Sequence, residues 1–131
     1  MKDTSAINKL FLADKTPNQV LLERKRAGEW TVNGKYKARP DAVNMLLKTI
    51  LQVEFKEPVS KAAFKNTTSI LASGSIKIEI YVKDRLEKTY YVGQATQDNA
   101  GTFMLLEGSN FPMITHIPGF NGYLTSRYIV K

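Results

Sequence analysis

Cysteine is absent from the 131 residues, and histidine and tryptophan each occur once. Without cysteine there is no disulfide framework, zinc ribbon or thiol nucleophile, and either a reducing or an oxidising compartment is open to the chain. A single histidine excludes a multi-histidine metal cluster. The patterns G-x-S-x-G, H-E-x-x-H and the P-loop are missing, and no two glycines stand two apart, so a dinucleotide fingerprint cannot start. No apolar run approaches the roughly 20 residues that a membrane-spanning helix needs. These absences lead to the expectation of a protein that is not an enzyme and holds no metal or cofactor.

What is present is ordinary for a globular chain: 43% hydrophobic and 24% charged residues. A chain of this length buries roughly two-thirds of its unfolded surface, so it needs no covalent or metal staple. The expectation is one domain spanning residues 1–131. Met1-Lys2-Asp3-Thr4-Ser5 leads into no hydrophobic signal region, and so polar a start also suits a piece of a longer protein.

The formal net charge is +7, and most of the surplus lies in residues 1–65. Lys25, Arg26, Lys35, Lys37 and Arg39 form a basic stripe in sequence beside Trp30 and Tyr36. Such a stripe attracts phosphates or an anionic surface. The plainer reading is that these side chains solvate the outer faces of strands and helices.

Apolar and polar positions alternate through Ile7 to Leu12, Val20 to Lys25 and Trp30 to Val32, with turn-rich clusters at 14–18, 27–29 and Asn33-Gly34. Together they predict an antiparallel meander, and Asn-Gly is a strong hairpin signal because both residues tolerate positive φ. Val43, Leu46, Leu47, Ile50 and Val53 recur at helical spacing behind Pro40-Asp41, which predicts a helix that stops before Pro58. A second helix is expected from Ser60 to Ser73, with Ser60 as N-cap and Gly74 in the left-handed C-terminal position.

Strict alternation from Ile76 to Lys83 predicts a half-buried strand, turned by Asp84 to Glu87 into a partner at Lys88 to Val92. A polar loop from Gly93 to Gly101 precedes two strands at Thr102 to Glu107 and Met113 to Ile117, and the chain closes on a loop and a short helical turn. The fold class expected is α+β: antiparallel hairpins with two helices packed on one face of the sheet.

Leu10 to Lys15, Val20 to Arg24, Trp30 to Gly34, the leucine-rich helix, Tyr90 to Gly93 and His116 to Phe120 together resemble a bacterial family of uncharacterised extracytoplasmic domains. Its better-known relatives are tethered to the inner membrane or occur beside gliding-motility-type ABC transporter components. The likeness runs over nearly the whole chain. It implies a native protein on the periplasmic side of the inner membrane, held through an N-terminal anchor that this chain lacks. It brings no catalytic residues with it.

Among candidate sites, Glu79 and Glu87 fall among Lys77, Lys83 and Lys88, where exposed ion pairs are expected rather than paired catalytic acids. Asp98-Asn99 lacks the spaced series of a calcium loop. His116, in an apolar strand beside Ile114 and Ile117, suits a structural histidine better than a general base. Eight aromatic residues fall between Tyr81 and Tyr128, and exposed ones can stack on sugars or bases or anchor an interface. Recognition is therefore expected at Phe111, His116, Phe120, Tyr123 and Tyr128. The function these observations favour is a noncatalytic interaction or assembly module of the cell envelope that binds a protein partner or an envelope polymer. The alternative is nucleic-acid binding by the basic stripe, against which an extracytoplasmic location argues. Oligomeric state stays open.

Overall fold

The computed structural model describes residues 4–14, 19–26, 29–96, 101–109, 111–118 and 124–128. The turns expected around 15–18 and 27–28, Asp98 and Asn99, and the loop holding Phe120 and Tyr123 lie outside the described residues.

In chain order the elements are β1 (Ile7–Ala13), β2 (Gln19–Arg26), β3 (Glu29–Val32), β4 (Tyr36–Lys37), α1 (Pro40–Gln52), β5 (Glu54–Pro58), α2 (Lys61–Gly74), β6 (Ile76–Val82), β7 (Arg85–Ala95), β8 (Thr102–Leu106), β9 (Met113–His116) and a 3-10 turn (Thr125–Tyr128). All strands join one antiparallel sheet in the order β4-β3-β2-β1-β6-β7-β8-β9-β5. The α+β class is as expected. Strands β4 and β5 are additions to it, because two residues carry no readable period and β5 is exposed along its whole length.

The register explains the core. Leu12 pairs with Ile78, Leu10 with Leu22 and Ile80, Ile78 with Tyr90, and Val92 with Met104, so these side chains share one face. Val43, Leu46, Leu47 and Ile50 of α1 close over that face in a single buried cluster. The other helix lies elsewhere. A Cβ placed on Gly93 would stand 2.5 Å from Cδ2 of Leu71 in α2, and Gly93 follows Val92 onto the opposite face. The two helices therefore cover opposite faces, not one. The reason is that β7 and β8 are apolar on both sides: Tyr91, Phe103 and Leu105 alternate with Tyr90, Met104 and Leu106. Edge strand β5 carries the chain from one face to the other.

Local chemistry sets the boundaries. The side chain of Ser60 accepts a hydrogen bond from the Ala63 amide at 3.3 Å, capping α2 as expected. Gly74 does not adopt the left-handed conformation: α2 runs through it to Ser75, whose extended backbone enters β6 directly. Asn33 and Gly34 do adopt positive φ, and the Asn33 side chain accepts from the Leu21 amide at 2.9 Å, locking the turn to β2.

The β6–β7 turn falls on Lys83 and Asp84, with φ of 53° and 63°, so Arg85 to Glu87, expected in the turn, already belong to β7. Asn8 holds it by accepting from the Asp84 amide at 3.1 Å and donating to Asp84 Oδ1 at 2.8 Å. Lysine bears a steric penalty in this region that asparagine largely escapes. Lys83→Asn is expected to stabilise the fold by ~0.5–1 kcal/mol. Asn8→Ala is expected to destabilise it by about 1 kcal/mol. Urea midpoints of the two variants moving in the same direction would contradict this account.

Candidate functional site

Helix α1 ends at Gln52, and Val53 passes the chain into β5 with no intervening loop. Phe55 pairs with Thr115 of β9, which puts its side chain on the α1 side of the sheet. Between the last turn of α1, β5 and strands β7 to β9 lies a cleft of about 470 Å³, walled by Ile50, Val53, Phe55, Tyr90, Met104 and Leu106. Two large apolar side chains stand open at its rim, Phe55 at 61% exposure and Leu106 at 38%. Exposed apolar groups gathered at a concavity mark binding surfaces more often than scattered ones do.

The two hydroxyls inside the cleft are already engaged. The Tyr90 hydroxyl shares a 2.9 Å hydrogen bond with that of Tyr128, and the rings meet edge to face at 6.0 Å. Burial pushes both phenols above their ordinary range. The Thr115 hydroxyl donates to the Thr102 carbonyl at 3.0 Å. Lys88 projects onto the same face through its pairing with Ile80. Glu54 also contributes to the lining, but its pairing with His116 turns its side chain to the opposite face.

The residues expected to form a recognition site are dispersed. Phe111 is 63% exposed and sits edge-on to Phe64 of α2 at 5.9 Å, on the far side of the sheet. His116 is half-buried on β9. Tyr128 is 1% exposed and belongs to the core, which overturns its expected surface role. The cause is the 3-10 turn: the Leu124 amide donates to Thr102 Oγ1 at 2.7 Å and the Thr125 hydroxyl to the Gly93 carbonyl at 2.7 Å, drawing Tyr128 inward.

The basic stripe collects at one edge of the sheet, with Lys25 and Arg26 ending β2, Lys35 and Lys37 on or beside β4, and Arg39 just before the first residue of α1. Two of its cations are paired: Arg26 with Glu29 at 3.4 Å and Arg39 with Asp41 at 2.9 Å. The hydrogen bond from Arg39 holds the Asp41 carboxyl below its usual range. Trp30 does not serve the stripe as a stacking platform. It is 7% exposed, with the Arg24 guanidinium over its ring at 4.8 Å. Lys77 and Glu79 form an exposed-side ion pair at 3.8 Å, as their alternation suggested.

The cleft went unread in the sequence because its parts are remote from one another. Phe55 and Val53 fall in what looked like a helix exit, and Lys88 in a hairpin strand. The usable signal was Lys88-Thr89-Tyr90, a cation two residues from a core aromatic and hence on its face.

Comparison with known protein families, curated proteins and solved structures finds no match for this chain. Among the described residues no three of His, Cys, Asp and Glu gather to hold a metal ion, and no helix is long and apolar enough to cross a membrane.

Proposed function

We propose that the protein is a noncatalytic interaction or assembly module of the bacterial cell envelope, placed on the periplasmic side of the inner membrane, that binds a protein partner or an envelope polymer. The observation that carries this reading is the open apolar cleft between α1, β5 and β9, with Phe55 and Leu106 at its rim. The likeness to extracytoplasmic domains supports the location. The working surface moves from the C-terminal aromatic loop to this cleft.

The test is a photo-crosslinking residue placed at Phe55 or Leu106 in the native protein within cells, with Tyr36 at the opposite edge of the sheet as control. Discrete adducts at Phe55 and Leu106 but not at Tyr36 are expected. Nucleic-acid adducts near Lys37 with none at the cleft would overturn the proposal in favour of the basic stripe.

A further inference from the structure

Resting on the reading of the cleft as a binding site, we infer that its ligand is a fatty-acid anion: a linear acyl chain lying between Ile50, Val53, Met104 and Leu106, with its carboxylate at Lys88 Nζ. Three observations lead there. A volume of about 470 Å³ is that of a small-molecule site rather than a flat interface. Its walls are more apolar than polar, and the hydroxyls of Tyr90 and Thr115 are consumed by Tyr128 and by the Thr102 carbonyl.

A peptide inserted here would lose water from its amides and gain no hydrogen bond from those two hydroxyls in return. An acyl chain carries no such groups. The third observation is charge. Lys88 stands on the cleft face of β7, and among the described residues no carboxylate comes within ion-pair distance of it; of the acids on the β6 side, Glu79 is paired with Lys77 and Asp84 with Lys9. A cation at the mouth of an apolar cleft selects an anionic head on an apolar body.

The experiment is isothermal titration calorimetry of the whole protein with octanoate, decanoate and dodecanoate below their micellar concentrations, with dodecanol and an apolar peptide ending in a free carboxylate alongside. Affinity is expected to rise roughly fourfold per added methylene until the chain outgrows the cleft. Dodecanoate should bind about tenfold more tightly than dodecanol. Lys88→Met should erase that preference while leaving the chain-length dependence intact. Lys88 is exposed, so the variant is expected to fold, with circular dichroism as the check.

Equal binding of dodecanol and dodecanoate by the unaltered protein would overturn the head-group assignment. Tighter binding of the peptide than of dodecanoate would overturn the acyl assignment. Absence of acyl binding together with persistent crosslinks at Phe55 defeats this inference and leaves the interaction module standing, whereas loss of both defeats both.

Discussion

Tyr128→Ala is expected to cost about 3–5 kcal/mol of folding stability, a large part of the roughly 5–15 kcal/mol available to a domain. The side chain is nearly fully buried and edge-on to Tyr90, so its removal leaves a cavity under the 3-10 turn and strands a hydroxyl. Tyr128→Phe isolates the second effect: the Tyr90 hydroxyl loses its described partner at a cost of about 1–3 kcal/mol. Adding Tyr90→Phe removes the stranded group as well, so the double variant should be more stable than the two single costs combined predict. Urea denaturation of the four proteins measures this cycle. A Tyr128→Ala variant within experimental error of the parent would return Tyr128 to the surface.

The same pair predicts a response to alkali. Both phenols are raised by burial, so the folded state holds protons that the unfolded state releases once pH passes the ordinary tyrosine value near 10. Their contribution is fully present below that pH and is lost as pH climbs towards the folded values. Phenolate absorbance should accordingly show two tyrosines ionising only together with unfolding, and Tyr90→Phe/Tyr128→Phe should lack that step.

Gly93→Val is the second substitution with a large expected effect, about 1–3 kcal/mol or more of overpacking. Its Cβ would meet Leu71 Cδ2 at 2.5 Å and the Phe103 carbonyl oxygen at 3.3 Å, and Leu71 is itself buried. Leu71→Ala opens the space, so the two changes together should cost less than their sum. Strict additivity would mean that α2 does not rest on β7. Because this contact is what seats α2 on the face away from α1, the cycle tests the two-sided architecture directly.

The parts of the fold legible in the sequence were those with a clean period. Alternation from Ile76 to Val82 marked β6, the spacing of Val43, Leu46, Leu47 and Ile50 marked α1, and Asn33-Gly34 marked a turn whose φ values favour those residues. Strand β5 was hidden because Glu54-Phe55-Lys56-Glu57-Pro58 shows no alternation; it exists through its pairing with β9, a tertiary contact. The placement of α2 was readable in principle from the two-sided apolar run Thr102 to Leu106, whose continuous hydrophobicity signals burial on both faces.

Candidate-site residues fared worse, for a physical reason. Composition does not separate an aromatic that packs from one that is displayed: hydrogen bonds made by Thr102, Thr125 and Leu124 draw Tyr128 inward, while Phe111 stays exposed beside Phe64.

The strand order also has a consequence for synthesis. Strand β5 is made well before β9, its neighbour in the sheet among the described residues, and the two meet across a span that includes α2 and three further strands. As the chain leaves the ribosome, β1 to β4 can pair as they emerge, but β5 must wait, tethered between two helices, until the last third has been translated. Lys56 at its bulge and Pro58 at its end keep this waiting edge from recruiting a strand of another nascent chain. The wall of the cleft that Phe55 supplies is thus the last to be put in place.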